Sequence, residues 1–347
     1  MNEDARSAYR AIDAIFINHP RFAWALDEMR DLVELKPTLT APCIHVSGPS
    51  GVGKSTLQKR VCMEYPAEPG GACVKLLGGL SLVADRHRLV ALKMPPEPTV
   101  KALAREILKA YGDELWGRGD EYTLGDRVDR FIAASQTNAV LIDEAQRAIE
   151  RTGTVVSEKL IDWIKARHEA NSVGFIFLGL GRLRHLFEAD RQIERRWDAE
   201  IRLEPYPWFA PDGSDDVENQ ANFIGLLAKF RDLSPVPFAV DVENDHVAYR
   251  FYYLSRGLVD GVKKLLLRAV RLMARHDARA FDFPLLEAAA AAAFRLEQNG
   301  MQNPFSKGFR MEPPPPLEDD YLISHRASRP TRSKRKRAQA VDYHLTK

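Results

Sequence analysis

A stretch of nine residues, GPSGVGKST at positions 48–56, has the residue types and spacing that bind nucleotide phosphates. Glycines let backbone N–H groups point at phosphate oxygens, the lysine reaches the β- and γ-phosphates, and the serine hydroxyl binds Mg²⁺. The alternative is an ordinary glycine-rich turn between a strand and a helix. We predict ATP and Mg²⁺ as ligands, and the residues expected to bind them are Gly48, Pro49, Ser50, Gly51, Val52, Gly53, Lys54, Ser55 and Thr56.

An acidic pair, Asp143 and Glu144, directly follows the apolar run 139–142, about ninety residues after the lysine. A carboxylate at the end of a strand can hold Mg²⁺ beside the γ-phosphate, which suits Asp143 together with Ser55. Glu144 is then placed to orient and deprotonate the attacking water. An acidic pair alone is more often a solvated turn. With a phosphate-binding loop upstream it predicts ATP hydrolysis, with Lys54 and Glu144 as catalytic residues.

Short apolar runs alternate with helical patterns up to about residue 207. Compact runs of this kind are typical of parallel strands buried on both faces. The alternation predicts an α/β P-loop fold whose parallel five-stranded sheet is flanked by helices. The expected strands are 43–47, 89–94, 138–143, 172–178 and, more weakly, 200–203; the expected helices among them are 99–111, 124–135 and 156–170.

Beyond Pro207 the strand pattern stops, and helices are predicted at 217–231, 245–254, 260–275 and 284–296. We divide the chain into a helical N-terminal segment (1–40), an α/β core (41–207), a helical lid (208–300) and a tail (301–347). The N-terminal helical pattern is interrupted at His19-Pro20, since a proline disfavours helix in the residue before it. The tail is rich in proline and basic residues, and we expect it to be disordered. Residues 72–87, between the first and second predicted core strands, have no place in a minimal α/β core, and we predict that they form an inserted hairpin.

The net charge of +2 is distributed unevenly along the chain. Residues 321–347 contain eight Lys or Arg and one Asp, which suggests contact with nucleic acid, docking onto a protein, or a solvated tail. No apolar run approaches the length of a membrane span, and the start MNEDARSAYR has no apolar stretch typical of a secretory signal. Three cysteines cannot all pair with one another, so we expect a cytoplasmic protein with no membrane partner.

With these elements placed, the chain resembles the AAA+ ATPases. More narrowly it resembles the TniB/TnsC group, the regulators of Tn7-like and Tn5053-like transposition, including those of CRISPR-associated transposons. The resemblance runs from about Ile15 to Leu267. Besides the two motifs above, it is carried by INHPRF (17–22), LKMPPEPT (92–99), LIDEAQ (141–146), FLG (177–179), DRQIERRW (190–197) and SRGLV (255–259).

The resemblance implies that ATP binding assembles subunits on double-stranded DNA as a ring or helical filament. That assembly would link a target-site selector to a transposase in a bacterial cytoplasm. It places an arginine finger at Arg196, or at Arg195 as second choice, which would reach a neighbouring subunit's γ-phosphate. It also implies a phosphate contact from the lid, made by Arg256 or alternatively by Lys263.

Contacts to duplex DNA would be made mainly to phosphates and would be largely indifferent to sequence. In the family, the elements that face DNA follow the second and third strands of the core. A helix that opens at Pro98-Thr99 would also point free N–H groups at a phosphate. The candidate DNA contacts are Lys93, Thr99, Lys101, Arg105, Arg147 and Arg151. For each of them taken alone, a solvated surface residue is an equally good interpretation.

Three other functions compete with a transposition regulator. A replication initiator or helicase loader would share the ATPase core, but no winged-helix pattern follows the lid. A module that holds nucleotide and hydrolyses little is disfavoured by the intact set Lys54, Asp143 and Glu144. It is mildly favoured by the stretch FLGLG at 177–181, which lacks the polar side chain that many AAA+ proteins place after this strand. A small-molecule kinase lacks a visible acceptor site. We therefore expect slow hydrolysis, stimulated by DNA or by a partner.

Overall fold

The computed structural model describes residues 3–18, 20–34, 43–75, 79, 81–150, 154–183, 197–276 and 278–317. Its strands are β1 (Cys43–Ser47), β2 (Cys73–Lys75), β3 (Ser81–Val83), β4 (Leu89–Lys93), β5 (Ala139–Asp143), β6 (Gly174–Gly179) and β7 (Trp197–Arg202). Five of them form a parallel sheet in the order β4-β5-β6-β1-β7. The predicted parallel five-stranded sheet is confirmed.

Helices cover both faces of this sheet and continue after it. They are α1 (Glu3–Ala14), α2 (Pro20–Glu34), α3 (Lys54–Glu64), α4 (Val100–Ala110), α5 (Glu121–Ala134), α6 (Arg147–Glu150), α7 (Thr154–Asn171), α8 (Val217–Leu233), α9 (Asp245–Ser255), α10 (Val259–Leu272) and α11 (Phe283–Ala293). In the part of the chain that the structure describes, none of these helices has the length and apolar character that crossing a bilayer requires.

The central strands are mostly apolar because their side chains contribute to two cores. Successive side chains of a strand point to opposite faces of the sheet. In β5, Val140 and Ile142 pack in one cluster with residues of α4, α5 and α7. Ala139 and Leu141 pack in a second cluster with residues of α2 and α3. This double burial holds the carboxyl ends of β1, β5 and β6 side by side.

Strand β7 starts earlier than the sequence predicted. We expected residues 200–203, whereas the strand runs from Trp197 to Arg202 and pairs in parallel with β1. Asp198 and Glu200 interrupt its apolar pattern, and it lies at one edge of the sheet. Charged residues at alternate positions, Asp198, Glu200 and Arg202, leave only half of the strand apolar, which weakens its sequence signal.

The expected insertion in the core is a hairpin. Strands β2 and β3 pair antiparallel, with Val74 opposite Leu82, and form a separate two-stranded sheet. Val74 is buried and joins the core cluster beside α5. The hairpin is therefore attached to the α/β core by its inner side chain.

The helices after residue 216 share a core of their own. Residues of α8, α9, α10 and α11 form one buried cluster, and Ile12 of α1 belongs to it. The N-terminal helix therefore packs on the C-terminal helices, while α2 packs on the sheet. The backbones of the two parts meet where the Tyr206 N–H donates to the Gly257 carbonyl at 3.0 Å. Gly257 has φ 76°, and a side chain there would overlap the Tyr206 backbone.

The first part of the predicted disordered tail, residues 301–317, is ordered in the structure. Residues 301–317 lie against α9, where the Tyr249 hydroxyl donates to the Glu312 carbonyl at 2.8 Å. Arg250 donates to the Pro304 carbonyl, and Phe305 is 3% exposed in the helical core. The prediction was wrong for this segment, because proline content was given more weight than its buried Met301 and Phe305. The basic run 332–337 lies outside the described residues.

Candidate functional site

The phosphate-binding loop joins β1 to α3 at the carboxyl edge of the sheet. Gly51 and Gly53 have φ 84° and 112°, a region that other residues rarely adopt. Gly48 lies so close to the backbone after β7 that a side chain would overlap the Leu203 carbonyl oxygen. The Gly48 N–H donates to the Gly179 carbonyl at 3.3 Å, which joins the loop to the end of β6.

Lys54 is the first residue of α3. Its Nζ donates to the carbonyl oxygens of Gly48 at 2.6 Å and of Pro49 at 2.8 Å. The ammonium group is thereby held inside the loop, beside the N-terminus of α3, where an anion is favoured by the helix dipole.

Asp143 is the last residue of β5 and is 5% exposed. Burial raises the pKa of its carboxyl, as does the neighbouring charge of Glu144. A hydrogen bond from the Glu144 N–H at 2.8 Å and the charges of Lys93 and Lys54 act in the opposite direction. A buried carboxylate with this balance is stabilised by a nearby cation.

Glu144 follows Asp143 in a left-handed backbone conformation, with φ 58°. Its Oε2 accepts a hydrogen bond from Gln146 Nε2 at 2.9 Å and lies 3.7 Å from Arg147 Nη2. The Glu144 side chain is 38% exposed. Glu144 is therefore held by neighbours and open to water at the same time, as a general base must be.

The loop, the acids and the helical part enclose a cleft of about 560 Å³. Three groups of residues line it: the N-terminal segment, the loop with the acids, and the start of α10. In that order they include Ile15, Phe16, Ile17 and Phe22; Ser50 to Thr56, Asp143, Glu144, Gln146, Gly179 and Leu180; Val259, Asp260 and Lys263. The predicted residues of the phosphate-binding loop and acidic pair are thus brought to one cleft, with Gly48 and Pro49 touching it through Lys54.

The donor set fits Mg²⁺. Ser55 and Asp143 both line the cleft, and hydroxyl and carboxylate oxygens are the ligands that this ion takes in nucleotide sites. The buried carboxylate of Asp143, with its raised pKa, lacks full charge compensation from the protein.

The lid residue that lines the cleft is Lys263 and not Arg256. Arg256 ends α9 in a left-handed conformation, and its guanidinium faces the C-terminal segment, 3.3 Å from the Pro316 carbonyl and 3.2 Å from Met301 Sδ. The predicted phosphate contact from Arg256 is therefore not formed in this structure, because its guanidinium contacts the C-terminal segment instead. Lys263 itself donates to the carbonyls of Asp13 and Ile15, which ties α10 to the end of α1.

The predicted DNA contacts differ in how accessible they are. Lys93 and Thr99 are exposed, although Thr99 Oγ1 accepts from the Ala102 N–H as the cap of α4. Lys101 is half-buried. Two arginines have protein partners: Arg105 donates to the Gly117 carbonyl at 3.1 Å, and Arg147 donates to the Met94 carbonyl at 2.9 Å.

Three predicted arginines lie outside the described residues. They are Arg151 among the expected DNA contacts and both candidates for the arginine finger, Arg195 and Arg196. Their roles stay predictions.

Sequence reasoning missed Gln146 and Asp260. Gln146 lies between Glu144 and the end of β6, and Asp260 opens α10 with its N–H 3.4 Å from the Gly51 carbonyl. For Gln146 the available signal was its place two residues after the acidic pair. No sequence pattern links Asp260 to the loop, because their contact depends on how the helical part packs.

Comparisons with known proteins agree with this fold. Residues 8–206 match the family described as bacterial TniB protein. Among solved structures, the Aeropyrum pernix ORC2 protein in ADPNP–ADP complexes is similar with a TM-score of 0.54 and 15% identity, over 83% of this chain and 73% of that chain. The Aeropyrum pernix ORC1 protein in complex with DNA is similar with a TM-score of 0.57 and 13% identity, over 82% of this chain and 69% of that chain. Cdc6p from Pyrobaculum aerophilum is similar with a TM-score of 0.55 and 10% identity, over 82% of this chain and 71% of that chain. No curated protein matches the sequence.

A parallel sheet in this order, a phosphate-binding loop after β1, an acidic pair at the end of β5 and a helical part over the cleft, together with the family match, define an AAA+ ATPase. Within that class the chain belongs to the family of bacterial TniB proteins, whose match covers more than half of it. The resemblance inferred from the sequence is confirmed.

Proposed function

We propose that this chain is an ATP-dependent regulator of transposition that assembles on duplex DNA and links a target-site selector to a transposase. The match to the TniB family carries the proposal, together with a cleft at which Lys54, Asp143 and Glu144 meet. The likeness to an ORC1 protein solved in complex with DNA agrees with a DNA-associated role.

In this proposal the residues of the cleft divide the work of ATP hydrolysis. The N–H groups of the phosphate-binding loop and Lys54 bind the β- and γ-phosphates. Ser55 and Asp143 would hold Mg²⁺, which would neutralise charge on the phosphate oxygens. Glu144 orients the attacking water and takes its proton. Ile15, Phe16 and Ile17 give the cleft an apolar side for the base.

Assembly would require an arginine from a neighbouring subunit. We assign this role to Arg196, with Arg195 as the second choice. Both lie outside the described residues, directly before β7 in the sequence, and the assignment rests on the resemblance carried by DRQIERRW (190–197). A fixed positive charge on the terminal phosphate would couple nucleotide state to subunit contact.

Duplex DNA would lie against the region that follows β4. Lys93 is exposed at the end of this strand, and Lys101 lies in the first turn of α4 behind the cap Thr99. Arg105 and Arg147 are weaker candidates, because each already donates to a backbone carbonyl.

Duplex binding measured with a non-hydrolysable ATP analogue tests the proposal. We expect tight, salt-dependent binding with the analogue and weak binding without nucleotide. Replacing Lys93 and Lys101 together by alanine is expected to lower the slope of log K against log salt by about 2, since each lost phosphate contact removes about 1. The matched control replaces Lys229 and Lys307, two exposed lysines of α8 and the C-terminal segment, and is expected to leave the slope unchanged. An unchanged slope in the Lys93/Lys101 variant would exclude this surface.

A second function is favoured by one observation. Strand β6 ends in Phe177-Leu178-Gly179 with no polar side chain to contact a γ-phosphate, as a module that holds nucleotide without hydrolysing it would allow. Such a module would show the same turnover with and without duplex DNA, whereas the regulator proposed here hydrolyses faster on DNA.

A further inference from the structure

The side chain of Gln146 connects the carboxylate of Glu144, the proposed general base, to the end of β6. Its Nε2 donates to Glu144 Oε2 at 2.9 Å. Its Oε1 accepts from the Leu180 N–H at 3.3 Å, directly after the strand. The residue is 6% exposed and lines the cleft, so this amide is a nearly buried bridge beside the site of hydrolysis.

Gly179 provides the space in which this amide lies. A Cβ atom at residue 179 would be 2.8 Å from Gln146 Oε1, closer than a side chain tolerates. The loop is fixed to the same strand by the Ala145 N–H, which donates to the Leu178 carbonyl at 2.9 Å. The amide is therefore held at both ends, and its direction is set by the end of β6.

Glu144 needs such support because its backbone is strained. A non-glycine residue with φ near 58° is rare and persists only when its surroundings fix it. Arg147 lies 3.7 Å from the same carboxylate oxygen but also donates to the Met94 carbonyl. Of these two neighbours, Gln146 makes the closer contact with the carboxylate.

We propose that Gln146 is a positioning residue for Glu144 and supplies the polar group that β6 itself lacks. Its amide keeps the carboxylate turned into the cleft and connects it to the strand next to the phosphate-binding loop. This inference rests on the proposed function, in which Glu144 is the general base for ATP hydrolysis. It predicts that Gln146 acts on turnover and leaves nucleotide affinity unaffected.

The Gln146→Glu variant removes the hydrogen-bond donor to Glu144 and keeps the acceptor for the Leu180 N–H. The new carboxylate can still accept from the Leu180 N–H, but it has no donor for Glu144 and repels it. We expect kcat to fall by about 10- to 100-fold, less than the full contribution of a general base. The KM for ATP is expected to stay at the wild-type value. The thermal unfolding midpoint is expected to fall, because a carboxylate is buried beside Glu144, so kcat is measured well below that midpoint.

Gly179→Ala tests the same bridge from the other side. Its methyl group displaces Gln146 Oε1, so kcat is expected to fall as in the Gln146 variant, with little added loss when both changes are combined. The control is Gly225→Ala in α8, where a Cβ atom meets no neighbour and activity should be unchanged.

Each result of these assays decides one question. A Gln146→Glu enzyme with wild-type kcat overturns the inference, as does a loss explained by a raised KM or by unfolding of the variant at the assay temperature. Fully additive losses in the double variant also overturn it. A wild-type chain that binds ATP and never hydrolyses it, with or without duplex DNA, overturns the proposed function first and this inference with it.

Discussion

Replacing Glu144 by glutamine is expected to leave ATP binding intact and to slow hydrolysis by about 10²- to 10⁴-fold. The glutamine has the same shape, and its carbonyl oxygen can still accept the hydrogen bond from Gln146 Nε2. It cannot take a proton from the attacking water. Single-turnover hydrolysis and equilibrium binding of a fluorescent ATP analogue measure the two effects separately.

Glu68→Gln is the matched control, because Glu68 is an exposed glutamate near the base of the β2–β3 hairpin and does not line the cleft. Its turnover should equal that of the wild type. Near-normal turnover in the Glu144 variant would remove Glu144 from the mechanism.

The second large effect concerns the fold. Arg127 of α5 and Asp113 form an ion pair at 2.8 Å whose side chains are 2% and 0% exposed. Arg127 also donates to the carbonyls of Leu115 and Arg118, so the pair holds the connection between α4 and α5. Asp113→Ala leaves a buried guanidinium without its anion and is expected to lower the free energy of unfolding by about 3–5 kcal/mol.

Urea denaturation measures this loss. The control is Asp126→Ala, which removes an exposed ion pair with Arg130 in the same helix and should cost about 0–1 kcal/mol. A combined change of Asp113 and Arg127 to apolar residues should recover part of the loss, since no uncompensated charge remains. Equal losses in the Asp113 and Asp126 variants would contradict the account of the buried pair.

The sequence predicted those parts of the fold whose residues are in local patterns. Strands β1, β4, β5 and β6 were found within two residues because burial on both faces makes them mostly apolar. The phosphate-binding loop and the acidic pair were found because their chemistry needs fixed residue types at fixed spacing.

Predictions that depended on packing were less accurate. The side chain of Arg256 contacts Pro316 and Met301 of the C-terminal segment, about 45 to 60 residues further along the chain, which no local pattern reveals. Residues 301–317 were expected to be disordered, but Met301 and Phe305 complete the helical core. The bridge through Gln146 connects residues about 35 positions apart in the chain and exists only because Gly179 leaves room for it.

The central claim is that ATP binding between subunits assembles this chain on duplex DNA. Electron microscopy and sedimentation of the purified chain with a duplex long enough for several subunits test it most directly. With a non-hydrolysable ATP analogue, we predict rings or filaments around the duplex for the wild type, and isolated subunits for the Arg196→Ala variant. Wild-type chains that stay monomeric and unbound to the duplex at saturating nucleotide would contradict the account.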